Sequence, residues 1–149
     1  MPKTQHTEIV VIGSGPGGYA AAFRAADLEM DVLMVDKNDS LGGVCLNRGC
    51  IPSKALLHIS KVISEASNLS NIGVSFSKPT IEIDSIRSHK ENIVSKLSEG
   101  ISQLARARKV KTLCGEASFV SNNELSVKTP SGDVTISFEK CIIAAGSSS

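Results

Sequence analysis

The sequence is poor in aromatic residues and carries almost no excess charge. Its 149 residues include no tryptophan, one tyrosine and four phenylalanines, so the aromatic surfaces on which nucleic-acid bases stack are scarce. The formal net charge is +1 with 21% charged residues, and neither sign is in sufficient excess to attract nucleic acid or an anionic membrane surface. We therefore expect neither nucleic acid nor a membrane as a partner.

Long apolar runs are also missing. None approaches the roughly 20 residues that span a bilayer, and residues 1–6 lack the apolar region of a signal peptide. These absences predict a cytoplasmic protein. Disulfides in the cytosol are usually transient or catalytic, so the four cysteines are not interpreted as two structural staples. We predict no metal site.

The length fits one domain, residues 1–149, with a core of Ile, Val, Leu and Ala. Residues 8–12 form an apolar run of strand length that leads directly into a G-x-G-x-x-G turn. The alanine-rich residues 19–26 predict a helix, and residues 31–36 predict a second strand that ends in an acid. This order predicts an α/β fold with a right-handed βαβ unit at its start.

Each residue type in this unit suits the binding of a dinucleotide. Gly13 allows a tight turn, Gly15 lets the backbone approach a pyrophosphate, and Gly18 permits close packing of the helix. The free N–H groups and the positive dipole of the helix start face the anion. Asp36 stands where a carboxylate accepts hydrogen bonds from ribose hydroxyls. The motif alone leaves both FAD and NAD open, because both contain adenosine and pyrophosphate.

A cysteine pair follows this unit and suggests redox chemistry. Cys45 and Cys50 are five residues apart, and an extended chain would hold their Cα atoms about 17 Å apart, against the roughly 5.5–6 Å of a disulfide. A bridge therefore requires the chain to curl into an irregular first helical turn, for which Gly49 and Pro52 are suited. A helix start also favours the thiolate form, and Lys54 follows Cys50 by one turn.

Residues 42–57 resemble the signature of the dihydrolipoamide dehydrogenases, within the flavin-dependent disulfide oxidoreductases, including the Ile-Pro-Ser-Lys after the second cysteine. The resemblance implies a Rossmann-like FAD-binding domain. It implies that Cys45 exchanges with the substrate, that Cys50 faces the flavin as a thiolate, and that Lys54 approaches the flavin ring. The predicted FAD-binding residues are Gly13, Gly15, Pro16, Gly17, Gly18, Asp36, Lys37, Gly42, Gly43, Val44, Cys45, Lys54, Ala117, Ala145 and Gly146.

The second half of the chain predicts packing elements. An amphipathic pattern predicts a helix over residues 84–108, after a first helix that begins near residue 52. Short strands are predicted at residues 110–113, 116–120, 124–128 and 134–138. The last three of these would form a small antiparallel meander. A further buried strand, residues 141–147, resembles the family's second flavin-binding segment, and Ala117 resembles its contact to the adenine half.

The resemblance covers residues 8–147, and members of this family also carry an NAD-binding domain and a dimerisation domain, which we do not expect within these 149 residues. It implies a larger enzyme that passes electrons from a lipoamide-type dithiol through FAD to NAD, as a homodimer within 2-oxoacid dehydrogenase complexes. We expect this chain to be the N-terminal part of such an enzyme and to lack turnover by itself. Two alternatives remain: a glutathione or mercuric reductase type, or a truncated nucleotide-binding module without catalysis.

Overall fold

The computed structural model describes residues 3–147. The described residues do not include Met1, Pro2, Ser148 and Ser149. Part of the segment predicted not to be a signal peptide, residues 1–6, and both ends of the predicted domain, residues 1–149, therefore lie outside them. The strands are β1 (Lys3–Ile12), β2 (Val32–Asp36), β3 (Lys111–Cys114), β4 (Glu116–Ser121), β5 (Glu124–Thr129) and β6 (Gly132–Ile143). The helices are α1 (Pro16–Asp27), α2 (Gly43–Asn47), α3 (Cys50–Asn68) and α4 (Ile83–Ala107), with a 3-10 helix at Leu69–Ile72.

All six strands belong to one sheet in the order β3-β2-β1-β6-β5-β4. The strands β3, β2, β1 and β6 are mutually parallel, and β4, β5 and β6 form the predicted antiparallel meander at the other edge. This arrangement confirms the predicted α/β class with a parallel sheet, flanking helices and a meander.

The third meander strand and the final buried strand were predicted as separate elements, and that division is wrong. They form the continuous strand β6, because β6 pairs with β1 over almost its whole length. Its first half also pairs with β5 on the other side. The meander is therefore joined to the parallel strands through a shared strand, which brings the end of β6 beside the end of β1.

The apolar runs of β1 and β2 are continuous because both faces of these strands are buried. On one face, Val11 and Met34 pack with α1 and with Ala105 of α4. On the other face, Val10 and Leu33 pack with side chains of β5 and β6. Alternate residues of the same strand thus serve two separate cores.

The helices α3 and α4 pack against each other, and α3 has no buried residue. The end of α4 is fixed to α1, because Arg108 Nε donates to Asp27 Oδ1 at 3.0 Å and its guanidinium lies 5.2 Å from the centre of the Phe23 ring. Among residues 3–147, no helix combines the length and the apolar character needed to cross a membrane.

One substitution in the core that contains Val10 and Leu33 should have a large effect on stability. Leu125 is fully buried, and we expect Leu125→Ala to lower the free energy of unfolding by about 2–5 kcal/mol, because it removes apolar contacts and leaves a cavity. The matched control is Leu57→Ala on α3, where the side chain is 66% exposed and the loss should stay within about 0.5 kcal/mol. Urea unfolding of both variants measures this, and equal losses would contradict the assigned core.

Candidate functional site: a cavity at the strand ends beside a disulfide

A cavity of about 610 Å³ opens where parallel strands end, and we call it the strand-end cavity. Its lining residues come from the ends of β1, β2 and β6, from the β3–β4 junction, and from the starts of α1 and α2: Ile12, Gly13, Gly15, Pro16, Gly17, Val35, Asp36, Lys37, Asn38, Gly43, Val44, Cys45, Gly115, Glu116, Ala117, Ala144, Ala145, Gly146 and Ser147. The carboxyl edge of a parallel sheet, where strand order reverses, is the place at which α/β folds bind ligands. Here β1 is that reversal point, with β2 on one side and β6 on the other.

Backbone hydrogen bonds join these strand ends to one another. The amide of Gly13 donates to the carbonyl of Val35 at 2.7 Å, and the amide of Ala144 donates to the carbonyl of Ile12 at 2.8 Å. On the far side, the amide of Gly115 donates to the carbonyl of Asp36 at 2.8 Å. The floor of the cavity is thus held by the main chain.

The turn after β1 has no room for side chains. Gly13 has φ +101°, and a Cβ there would collide with the carbonyl of Ala144. A Cβ on Gly18 would collide with the carbonyl oxygen of Gly13, so α1 packs directly against the turn. The first hydrogen bond of α1 runs from the Tyr19 amide to the Gly15 carbonyl, which leaves the amides of Gly17 and Gly18 ahead of the helical ladder. Together with the helix dipole, they form a site suited to an anion.

The start of α2 lies directly against this turn. Gly43 has φ +61°, and a Cβ on it would stand 2.6 Å from the Cα of Gly15. The neighbouring Gly42, with φ +108°, donates its amide to the carbonyl of Ser14 at 3.0 Å. Two glycine backbones therefore touch, and this contact sets the distance between the turn and the cysteines.

The structure joins Cys45 and Cys50 in a disulfide with Cα atoms 4.8 Å apart. The predicted curl is present: α2 ends at Asn47, and the amides of Arg48 and Gly49 both donate to the carbonyl of Val44. The first long helix was predicted to begin near residue 52, whereas α3 begins at Cys50 and the short helix α2 precedes it. Gly49 allows the chain to reverse between the two helices.

The two sulfurs differ in their surroundings. Cys45 is half-buried and lines the strand-end cavity, while Cys50 is exposed and lies in the first turn of the 19-residue helix α3. A helix start stabilises a thiolate. The described residues also contain two free cysteines, Cys114 and Cys141, and neither lines the cavity. Burial raises the pKa of the Cys141 thiol, which favours its protonated form.

Asp36 is held by four donors from the protein itself. Its Oδ2 accepts from the amide and the hydroxyl of the fully buried Ser14, both at 2.7 Å, and its Oδ1 accepts from the amide and the side chain of Asn38 at 2.8 and 2.9 Å. Partial burial raises the pKa of the Asp36 carboxyl, but these hydrogen bonds together outweigh burial and hold its pKa below the ordinary value. A carboxylate has about four acceptor positions, so a ribose hydroxyl would have to replace one of these donors.

Most of the predicted FAD-binding residues line the strand-end cavity; the exceptions are Gly18, Gly42 and Lys54. Gly18 and Gly42 lie behind the lining, where the absence of a side chain permits close packing. Lys54 is exposed on α3, one turn after Cys50. The role of each residue toward a cofactor stays a prediction.

Sequence reasoning missed several members of the site. Asn38, Gly115 and Glu116 line the cavity, and Ser14 holds Asp36 from behind. Gly115 directly follows β3, and parallel strands end at the same edge of a sheet. This rule would have indicated Gly115 only if the pairing of β3 with β2 had been known from the sequence. For the Ser14 hydroxyl there was no signal, because the second position of the glycine motif is variable.

The cavity fits the dinucleotide cofactor that the glycine motif predicts. Its volume lies within the roughly 300–1,000 Å³ of small-molecule sites, and the glycines leave backbone amides open where a pyrophosphate would lie. A second cleft of about 880 Å³ runs between α4 and residues 38–40. It contains neither the disulfide nor the glycine turn, and its lining mixes Lys90 and Arg106 with Glu91 and Glu99.

Comparison with known proteins agrees with this geometry. The family model described as pyridine nucleotide-disulphide oxidoreductase matches residues 7–149. Dihydrolipoyl dehydrogenase of Buchnera aphidicola subsp. Acyrthosiphon pisum is 51% identical over 147 residues, which cover 99% of this chain and 31% of the relative. Dihydrolipoyl dehydrogenase of Haemophilus influenzae is 49% identical over 148 residues, with the same coverage of 99% and 31%.

A solved structure is also similar. It is the Cu(II) complex of the HOCl-induced flavoprotein disulfide reductase RclA from Escherichia coli, with a TM-score of 0.78 and 26% sequence identity. The match covers 98% of this chain and 29% of that chain. The chain thus spans about a third of the length of the curated relatives and of this structure.

The contact between the two glycines predicts a difference between two substitutions. Gly43→Ala should lower the free energy of unfolding by about 1–3 kcal/mol or more, because it forces an L side chain into a positive φ and into the Gly15 backbone. In Gly17→Ala the new methyl group would lie 4.0 Å from the Ala144 Cβ, an ordinary contact, so stability should change little. Urea unfolding compares the two, and equal stability would refute the contact.

The network around Asp36 predicts a pH-dependent effect. Because the folded-state pKa of Asp36 is depressed, its ionised form contributes stability above the unfolded pKa of about 3.9, and this contribution is lost as the pH falls through the folded pKa. Ser14→Ala should therefore cost about 1 kcal/mol at pH 7, a low value because the carboxylate is partly exposed, and the cost should shrink at pH 3.

The control for this experiment is Ser64→Ala, which removes only a hydrogen bond to the Ser60 carbonyl on the exposed face of α3. Its effect on the urea midpoint should be equal at both pH values. A Ser14→Ala cost that is likewise independent of pH would show that the hydroxyl does not act through ionised Asp36.

Proposed function

The chain belongs to the pyridine nucleotide-disulphide oxidoreductase family, and from that premise we propose that it binds FAD and oxidises a dithiol through Cys45 and Cys50. The observation that supports this most is the disulfide at the edge of the strand-end cavity, with Cys45 in the cavity lining. The substrate we propose is a lipoamide-type dithiol, because the curated relatives described above are dihydrolipoyl dehydrogenases.

The chain's own residues carry out the exchange. A substrate thiolate attacks the sulfur of Cys45, the Cys45–Cys50 bond breaks, and Cys50 leaves as a thiolate at the start of α3. The second substrate thiolate then attacks the substrate sulfur of the mixed disulfide and releases Cys45. The substrate has become a disulfide, and its two electrons now reside on the two cysteines. FAD held in the strand-end cavity would supply the acceptor for this electron pair.

The start of α3 supports one part of the division of roles taken from the resemblance, the thiolate at Cys50, although of the two cysteines it is Cys45 that lines the strand-end cavity. The Cys50 sulfur lies in the first turn of a 19-residue helix, where the dipole and the free amides favour a thiolate over a thiol. Cys45 then remains the sulfur that exchanges with substrate. The glycine turn, with Gly15 and Gly17, would hold the pyrophosphate, and Ala145 and Gly146 would contact FAD through their backbone.

The wider setting is part of the proposal. The chain spans 31% of the length of the dihydrolipoyl dehydrogenases described above, and we assign NAD binding and dimerisation to other parts of such a longer protein. That protein would act in the cytoplasm as a homodimer within 2-oxoacid dehydrogenase complexes.

An absorbance titration tests the function. The chain with FAD should be yellow, and one equivalent of dithiol should produce a long-wavelength band, because the resemblance assigns to Cys50 a thiolate that contacts the flavin. Cys50→Ser should abolish the band, whereas Cys114→Ser, which alters a cysteine outside the disulfide, should retain it.

Two results would count against the proposal. If the chain stays colourless after removal of excess FAD, and Cys45 and Cys50 behave as ordinary thiols, it is a module without this chemistry. If Cys50→Ser keeps the band, the division of roles between the cysteines is wrong.

A further inference from the structure

The redox cycle raises a mechanical problem at α2. Besides the two main-chain residues 48 and 49, the disulfide is the covalent cross-link between α2 and the start of α3, and the proposed reaction opens it. However, Gly43 at the start of α2 must stay against Gly15, since this contact borders the strand-end cavity. The amide of Gly42, which donates to the Ser14 carbonyl, restrains the residue before α2, and a further interaction has to hold α2 itself while the sulfurs are apart.

The side chain of Asn47 provides such an interaction. It lies between the two cysteines in the sequence and is half-buried. Its Nδ2 donates to the carbonyl of Leu41 at 3.2 Å and to the carbonyl of Gly43 at 3.0 Å. One side-chain amide therefore holds both ends of the segment 41–43, which precedes Cys45, and it does so independently of the sulfurs.

A second side chain, on α4, reaches the same segment, residues 41–43. Ser98 Oγ donates to the Leu41 carbonyl at 3.0 Å from a position 57 residues further along the chain. The helix α4 is itself anchored to the sheet through Ala105, which is 2% exposed. Leu41 is thus tied to the body of the domain as well as to α2.

We propose that Asn47, assisted by Ser98, is a positioning residue that keeps Gly43 against Gly15 when the Cys45–Cys50 bond is open. The affinity of the cavity for FAD then does not depend on the redox state of the cysteines. When a dithiol reduces the pair, the sulfur–sulfur bond breaks and two electrons pass to Cys45 and Cys50. Cys45 takes up one proton, Cys50 stays a thiolate, the second proton of the dithiol goes to solvent, and the dithiol becomes a disulfide. The hydrogen bonds of Asn47 need not change in this step.

Two experiments test the inference, and the first of them rests on the proposed function because it needs bound FAD. It measures the dissociation constant of FAD by quenching of flavin fluorescence. Four proteins form a double-mutant cycle: wild type, Asn47→Ala, Cys50→Ser and the double variant. Each single variant keeps either the disulfide or the hydrogen bonds of Asn47, so its dissociation constant for FAD should rise by less than about threefold. The double variant loses both and should bind about tenfold or more weakly than the product of the single effects predicts.

The second test needs no FAD. The chain is equilibrated with reduced and oxidised dithiothreitol, and alkylation with mass spectrometry gives the fraction of reduced Cys45–Cys50. In Asn47→Ala the reduced segment gains freedom that the disulfide denies the oxidised one, so the equilibrium should shift about three- to tenfold toward the thiols. Asn47→Asp should behave like Asn47→Ala, because a carboxylate cannot donate to the two carbonyls.

Asn71→Ala, on the exposed 3-10 helix, is the matched control and should change neither quantity. If Asn47→Ala does not fold, as judged by circular dichroism, Ser98→Ala replaces it, with smaller shifts in the same directions. Additive effects in the cycle, or a thiol equilibrium within twofold of wild type, would overturn the role of Asn47. If the wild type binds no FAD, the proposed function fails, and the thiol equilibrium alone decides the role of Asn47.

Discussion

The contact between the backbones of Gly15 and Gly43 determines how the two functional parts of the domain lie together. One glycine belongs to the turn after β1, and the other begins the short helix that carries Cys45. A Cβ on Gly43 would stand 2.6 Å from the Gly15 Cα, so the contact requires glycine at residue 43. The amide of Gly42, which donates to the Ser14 carbonyl, holds the two segments in register. A redox pair and a phosphate-binding turn thus become neighbours through main-chain atoms.

Hydrogen bonds from other parts of the fold hold the two segments that make this contact. The turn is held by Asp36, which ties Ser14 to the loop at Asn38, and α2 is held by Asn47 and Ser98. The shared strand β6 brings its own end to the same edge of the sheet. The hydrogen bonds from Ser14 to Asp36 and from Ser98 to Leu41 join segments that are 22 and 57 residues apart, whereas those of Asn38 and Asn47 are local.

The sequence predicted those features whose cause is local. The glycine motif between an apolar strand and an alanine-rich helix predicted the first βαβ unit, and the spacing of Cys45 and Cys50 predicted a curled segment. The periodicity of residues 84–108 predicted α4 to within a residue at each end. Family resemblance pointed to Ala117 and Gly146, which local patterns would not have indicated, and both line the cavity.

The features that the sequence did not predict depend on pairing between distant segments. The division of β6 into two strands was wrong because residues 139 and 140 read as a polar interruption, whereas pairing with β1 continues past them. Glu116 joins the cavity because β3 pairs with β2, an adjacency that no local pattern encodes. Asp36 was predicted as a ribose acceptor from its position, but its four protein donors come from Ser14 and Asn38, which no motif singles out.

The central claim is that the glycine contact builds one dinucleotide site beside the disulfide. A titration of the isotope-labelled chain with FAD, followed by amide NMR shifts, tests it most directly. The account predicts that the amides of Gly15, Gly17 and Gly43 shift together and saturate with one dissociation constant, while those of the exposed 3-10 helix at Leu69–Ile72 stay unchanged. Shifts confined to the cleft along α4, at Lys90 and Ser95, with the three glycines unmoved, would contradict it.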